Sequence, residues 1–171
     1  MKGYIQVYTG NGKGKTTAAI GLAIRALGAG KKVFFAQFVK GMEYAEHKIL
    51  KALSPDITIR LYGLDCFIEK IATVKDIEAA KSGLKEVAGI IRSGKYDLVI
   101  LDEANIALFY NLFSVEELLS VIDKRADGLE IVVTGRKAPE KLKIAADLVT
   151  EMKEIKHYYQ KGIEARKGME F

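Results

Sequence analysis

Short apolar runs alternate along this chain with longer stretches of helical spacing. Tyr4-Ile5-Gln6-Val7-Tyr8 predicts a first strand, and Ala18 to Leu27 a helix that Gly28 and Gly30 bring to an end. Lys32-Val33-Phe34-Phe35-Ala36-Gln37-Phe38 reads as a second strand. Ala45 to Leu53 suits a short helix closed by Ser54-Pro55-Asp56. Ile57-Thr58-Ile59-Arg60-Leu61-Tyr62 alternates like a strand with one wet face. Residues 75–93 carry a longer helical pattern through Ile77, Ala80, Leu84, Val87, Ala88 and Ile91.

The second half repeats the alternation. Asp97-Leu98-Val99-Ile100-Leu101-Asp102-Glu103 is a continuous apolar run ending in two carboxylates, and such runs suit strands covered on both faces. Ser114 caps a predicted helix with Glu117 three residues later, running to about Lys124. Glu130-Ile131-Val132-Val133-Thr134 is another buried strand, closed by Gly135-Arg136. Pro139 starts a helix reaching about Ala146, and Asp147-Leu148-Val149-Thr150-Glu151-Met152 gives a last strand. No long linker, repeat or low-complexity segment interrupts residues 1–171. The pattern predicts one doubly wound α/β domain with a mainly parallel sheet flanked by helices. Ligands in such folds sit at the carboxyl ends of the strands. That rule brings together the segment after Tyr8, the Asp102-Glu103 pair, and Thr134-Gly135-Arg136.

Composition narrows the partners. With 49% hydrophobic and 29% charged residues over 171 positions, the chain has the makeup of a globular domain with a substantial core. No apolar run approaches the roughly 20 residues that span a bilayer, and Met1-Lys2-Gly3 leads straight into a strand rather than a signal segment. Cys66 is the single cysteine, which excludes an internal disulfide and a multi-cysteine metal site. These features favour the cytoplasm. A net charge of +5 suits an anionic partner such as a nucleotide triphosphate. Near the carboxyl end Lys153, Lys156, Lys161, Arg166 and Lys167 interleave with Glu151, Glu154, Glu164 and Glu170, which argues against a nucleic-acid surface.

Chemistry concentrates in Gly10-Asn11-Gly12-Lys13-Gly14-Lys15-Thr16-Thr17, between the first strand and the first helix. Glycines let successive backbone N–H groups converge on phosphate oxygens, and a helix start adds unpaired N–H donors and partial positive charge. Lys15 is expected to neutralise phosphate from a solvent-open edge, and Thr16 to offer its hydroxyl to magnesium. The usual phosphate loop has its first glycine where this chain has Thr9; here it comes one residue late, at Gly10, and Lys13 is an additional lysine within the loop.

Asp102 and Glu103 end an apolar strand, where carboxylates are costly unless paired or metal-bound. Beside a phosphate loop such an acid helps hold magnesium, and Glu103 alternatively serves as a base for water in an ATPase. Lys40, after the second strand, either contacts an anionic substrate or sits solvated in its loop. Arg136 has the fork geometry for phosphate, or else is a surface arginine. Tyr44, Tyr62 and Phe67 either line an apolar pocket or pack in the core. His47 and His157 lack ligand-spaced partners, which disfavours a zinc site built by the protein.

Taken in order, these segments resemble the bacterial ATP:corrinoid adenosyltransferases. Residues 9–17 are similar to that family's variant phosphate loop, and Gln37-Phe38-Val39-Lys40-Gly41 to its segment after the second strand. Leu101-Asp102-Glu103, Val133-Thr134-Gly135-Arg136, residues 146–152 and the tail from Ile155-Lys156-His157 to Gly162 complete the likeness, which runs from about Tyr4 to the carboxyl end. The resemblance implies a RecA-like P-loop fold and transfer of the 5′-deoxyadenosyl group of ATP to the cobalt(I) of a reduced corrinoid, cobalamin or a cobinamide-type precursor. Inorganic triphosphate is the byproduct, and the family's loop holds the triphosphate in reversed orientation.

The likeness further implies a divalent ion (Mg²⁺ or Mn²⁺), a homodimer, and an electron donor such as a reductase or flavodoxin-like protein. Carried over by motif, Thr9, Gly10, Asn11, Gly12, Lys13, Gly14, Lys15, Thr16 and Thr17 surround the triphosphate, with Lys40 and Arg136 nearby. Thr16, Glu103 and Asp102 hold the metal, and Lys15, Thr16 and Glu103 bear on catalysis. Two departures stand out: longer members carry an N-terminal extension over the site, and some carry a Phe-x-Trp-like pair where this chain reads Tyr62-Gly63-Leu64-Asp65-Cys66-Phe67. Two other reaction classes suit the same residues. One is a RecA-like ATPase or switch releasing ADP; the other is a kinase acting on a small acceptor.

Overall fold

The computed structural model describes residues 2–64 and 72–170. Six strands form one sheet in which every pairing is parallel: β1 (Ile5–Thr9), β2 (Val33–Phe38), β3 (Ile57–Tyr62), β4 (Leu98–Asp102), β5 (Glu130–Thr134) and β6 (Leu148–Glu151), in the order β3-β2-β4-β5-β1-β6. The helices are α1 (Lys15–Gly28), α2 (Ala45–Leu53), α3 (Val74–Arg92), α4 (Ala104–Phe109), α5 (Val115–Ile122) and α6 (Glu140–Ala145), with a 3₁₀ turn at Tyr158–Lys161. The expected α/β architecture is present, and among the described strands the sheet is wholly rather than mainly parallel.

Period-two alternation sorts the strand side chains onto two faces. Val33, Phe35, Leu98, Ile100 and Val132 pack against Ala19, Ala23 and Ala26 of α1 and Leu50 of α2. The opposite side chains, including Val7, Phe34, Ala36, Phe38, Val99, Leu101, Ile131 and Val133, meet α3 through α6. Small alanines let α1 lie close to the sheet, whereas the second face is filled by larger groups such as Phe113, Leu118 and Ile122. Truncating a fully buried phenylalanine such as Phe35 to alanine costs about 3–5 kcal/mol.

The helix starts follow from local chemistry. Thr73 and Asp76 cap α3 reciprocally, and Ser114 and Glu117 cap α5 in the same way. Helix α1 ends with Gly30 at φ 72° and with the Lys31 N–H donating to the Ala26 carbonyl. The pattern reading passed over α4. Glu103 adopts φ 57°, so the chain turns from β4 directly into six helical residues, too few to show a period. Cys66 and Phe67, the latter one of the three aromatics expected to line an apolar pocket or pack in the core, lie outside the described residues. Tyr62 is a core residue, its ring 5.4 Å from that of Phe38.

Strand order changes direction around β4, β5 and β1. The chain leaves β1 and skips two strands to reach β2, and it later leaves β5 and skips β1 to reach β6. The carboxyl ends of β1, β4 and β5 therefore share one edge, with the amino end of α1 among them.

Candidate active site at the carboxyl edge of the sheet

Between β1 and α1 the chain makes a tight turn against the end of β6. A Cβ on Gly10, at φ 96°, would lie 2.4 Å from the Met152 carbonyl oxygen, and one on Gly12 would lie 2.7 Å from the same atom. The Gly12 N–H donates to that carbonyl at 2.7 Å. Glycine at these two positions is thus demanded by close approach to β6. The Gly12 amide is engaged with protein. Gly14 caps α1 at φ 116°, and the helix begins at Lys15 with no side-chain cap. The first N–H groups of α1 have no acceptor within the helix and no side-chain cap.

Lys15 is 8% exposed, and its Nζ donates to the Gly12 carbonyl at 2.6 Å. The expected solvent-open edge is therefore corrected: the lysine folds back under its own loop. Burial pushes its ammonium pKa below the usual lysine range, with the Arg136 charge adding to the effect and Glu103 and Asp102 opposing it. Asn11 and Thr17 are exposed. The Thr9 hydroxyl accepts from the Ala138 N–H at 3.2 Å and ties β1 to the segment after β5. Lys13 points away from Lys15 toward the carboxyl-terminal segment, where it meets Glu170 at 2.7 Å.

Asp102 is fully buried and accepts three hydrogen bonds. Its Oδ1 receives the Thr16 hydroxyl at 2.8 Å and the Thr134 hydroxyl at 2.6 Å, and its Oδ2 receives Gln37 Nε2 at 2.7 Å. Burial of this carboxylate is thereby compensated by hydrogen bonds from three different elements. Glu103 sits beside it, positioned by its own N–H donating to the Thr134 hydroxyl at 3.1 Å. Its carboxylate is 3.7 Å from Lys40 Nζ, with both side chains about one-fifth exposed. Burial raises the Glu103 pKa above the ordinary value, and the Asp102 charge raises it further against Lys40, Lys15 and Arg136. Lys40 also lies 5.1 Å from the Tyr44 ring centroid. Arg136 is exposed on the turn after β5 and lies within electrostatic reach of Lys15 and Glu103.

Four buried polar groups at this edge take bonding roles that the sequence did not reveal. Gln37 and Thr134 fix Asp102, and Asn105 Nδ2 donates to the Gly135 carbonyl at 3.0 Å. His47, fully buried, accepts the Tyr44 N–H at 3.0 Å on Nδ1 at the start of α2. Its pKa is lowered, chiefly by burial. A glutamine and a threonine inside otherwise apolar strands were the available signal for the first two. The histidine is a helix-start residue, third in α2, that pairs with the backbone of the residue before the helix.

Thr16 Oγ1, Asp102 and Glu103 form a set of hard oxygen donors. Among the described residues no cluster of three or more His, Cys, Asp or Glu side chains could hold a metal by itself. Magnesium commonly binds through one or two carboxylates plus substrate phosphates, so this donor set fits it. No helix among the described residues is long and apolar enough to cross a membrane.

Comparisons with known proteins match this chain to one family. The family model described as ATP:corrinoid adenosyltransferase BtuR/CobO/CobP matches residues 1–171. A corrinoid adenosyltransferase of Pseudomonas aeruginosa is 37% identical, with 99% of this chain and 84% of that protein covered. One from Sinorhizobium sp is 36% identical, covering 99% and 81% respectively. One from Escherichia coli strain K12 is 31% identical, covering 99% and 86%. A family model that spans residues 1–171, together with relatives at 31–37% identity covered over more than four-fifths of their length, makes the chain a member of the ATP:corrinoid adenosyltransferase family.

Proposed function

We propose that the carboxyl edge of the sheet binds ATP through residues 10–17 and transfers its 5′-deoxyadenosyl group to the cobalt(I) of a reduced corrinoid, cobalamin or a cobinamide-type precursor. The observation that carries this reading is the hydrogen bond from Thr16 in the loop to Asp102 at the end of β4, with Lys15 buried between loop and acids. It makes phosphate-binding backbone and acidic oxygens one rigid unit.

The chemistry asks for little acid–base help. Cobalt(I) of the substrate supplies an electron pair to the ribose C5′; the cobalt–carbon bond forms as the C5′–oxygen bond breaks. That bond's electrons leave with inorganic triphosphate. Lys15 and the amino end of α1 stabilise the departing charge. Arg136 and Lys40 stand where they add to it, with Arg136 suited to bidentate contact. Asp102 holds Thr16 and Glu103 holds Lys40, so the cradle is organised before substrate arrives. A bound Mg²⁺ or Mn²⁺, held by Thr16 and Glu103 with Asp102 behind them, would neutralise phosphate charge.

The reading extends to a cytoplasmic homodimer that receives its corrinoid in the reduced state with help from a reductase or flavodoxin-like donor. The family likeness supports these points. An ATP titration with and without Mg²⁺, on the full chain and on Lys15→Met, tests the site assignment. Tight, magnesium-enhanced binding that the substitution removes is the expected result. Equal binding by both proteins would place the nucleotide elsewhere.

A further inference from the structure

Lys13 is the loop residue whose surroundings the proposed reaction does not use. Its Nζ donates to the Tyr158 hydroxyl at 3.0 Å, to the Met169 carbonyl at 2.8 Å and to Glu170 Oε1 at 2.7 Å. All three partners belong to the carboxyl-terminal segment, roughly 150 positions away in sequence. That segment is organised around one carboxylate. Glu170 accepts from the Tyr158 hydroxyl and from the Arg166 N–H at 2.7 Å, and pairs with the Arg166 guanidinium at 3.5 Å. Arg166 and Lys13 both lie over the Tyr158 ring, at 5.1 and 5.7 Å from its centroid. The Lys13 side chain stays 43% exposed and Glu170 17% exposed, so the contact is open to solvent on the loop side. Between loop and tail runs an open cleft of about 360 Å³ lined by Gly12, Lys13 and residues 153–158.

We propose that residues 157–170 form a strap over the phosphate loop, in which the Glu170 carboxylate occupies Lys13 in place of a phosphate and is displaced when triphosphate binds. The inference rests on the phosphate-loop reading above. Two forces act in the same direction. An incoming triphosphate offers Lys13 a more highly charged partner two residues from Lys15, and its negative charge repels Glu170 across the loop. Lys13 and Arg166 hold the Glu170 carboxyl well below the usual carboxylate range, so it remains an anion throughout the physiological range and cannot escape the repulsion by taking up a proton. By reciprocity, reseating of the strap weakens triphosphate binding. After transfer, the strap therefore favours release of a product that the loop would otherwise retain.

A merely structural tail predicts the opposite sign. If Glu170 served only to pin the loop in its binding shape, removing its charge would loosen the loop and weaken phosphate binding. The test measures affinity for inorganic triphosphate with Mg²⁺ in the full chain, Glu170→Gln, Lys13→Met and the double variant. Hydrogen exchange of residues 157–170 is followed with and without ligand. The strap predicts about two- to fivefold tighter binding by Glu170→Gln, the scale of a partly exposed ion pair, shrinking at high salt. In the Lys13→Met background the gain should largely vanish, and triphosphate should speed exchange in the tail of the unaltered chain. Unchanged or weaker binding by Glu170→Gln, or a tail that triphosphate protects, would overturn the strap. Failure of the unaltered chain to bind triphosphate at all would instead overturn the phosphate-loop reading and remove the strap with it.

Discussion

Thr16 and Asp102 lie 86 positions apart in sequence, yet the threonine hydroxyl donates to the buried carboxylate at 2.8 Å. This contact joins the first turn of α1 to the end of β4. Thr134 and Gln37 add their own bonds from β5 and β2, so one carboxylate links four elements at the edge. Replacing Asp102 by alanine leaves the buried Gln37 and Thr134 donors, and the half-buried Thr16 hydroxyl, without this acceptor. About 1–3 kcal/mol is lost for each group so exposed to desolvation without a partner. The Asp102→Ala protein should melt well below the unaltered chain and show no magnesium-dependent turnover. Calorimetry and activity on the same preparation check both parts.

Lys15 separates binding from folding. Its lowered pKa means the ammonium is disfavoured in the folded state, so its charge costs stability in full below the folded value, and the cost is relieved as the pH rises from there through the ordinary lysine value. Lys15→Met keeps the stem and removes that cost. The variant should melt at or above the unaltered temperature at neutral pH, while the stabilisation given by ATP disappears. A variant that unfolds without ligand would show that the lysine supports the loop rather than the nucleotide.

Glu103 has a raised pKa, and the sign follows directly. The folded state holds its proton more tightly than the unfolded chain, so stability falls as pH rises from the ordinary carboxylate range through the folded value. Above that value the full cost remains. Glu103→Gln should therefore stabilise the ligand-free protein at neutral pH, with the difference closing as the pH falls below the ordinary value. Its response to Mg²⁺ with ATP should be weaker than that of the unaltered chain. Melting curves across pH, with and without Mg²⁺ and ATP, report both effects.

Two glycines of α3 give opposite expectations. A Cβ at Gly83 would sit 2.3 Å from Tyr62 Cγ, inside the packed aromatic core, whereas one at Gly89 meets nothing within 4 Å. Alanine gains about 1 kcal/mol over glycine in a helix, and overpacking costs about 1–3 kcal/mol. Gly89→Ala should stabilise the protein and Gly83→Ala destabilise it. Denaturant unfolding of the pair distinguishes them.

Much of the fold was legible because periodicity is a local property. Ala45–Leu53, Ile57–Tyr62 and Glu130–Thr134 are found at the bounds expected from their patterns. Helix α4 was not, since six residues behind a positive-φ glutamate carry neither a period nor a cap. Within the site, loop and acids stood out because buried charge at a strand end is conspicuous. Their partners did not: Gln37 and Thr134 are ordinary polar residues until the sheet places them on Asp102. The direction of Lys13 was equally hidden, because it depends on a tail residue, Glu170, whose position only the tertiary structure supplies.

The central claim is that this edge transfers an adenosyl group rather than hydrolysing ATP or phosphorylating an acceptor. The most direct measurement is an anaerobic reaction of the full chain with Mg²⁺, ATP and chemically reduced cobalamin, with and without reductant, following the corrinoid spectrum and separating the phosphate products. The account predicts light-sensitive adenosylcobalamin and free triphosphate in equal amounts, formed only when the cobalt is in the (I) state. ADP accumulating at the same rate without any corrinoid would contradict it.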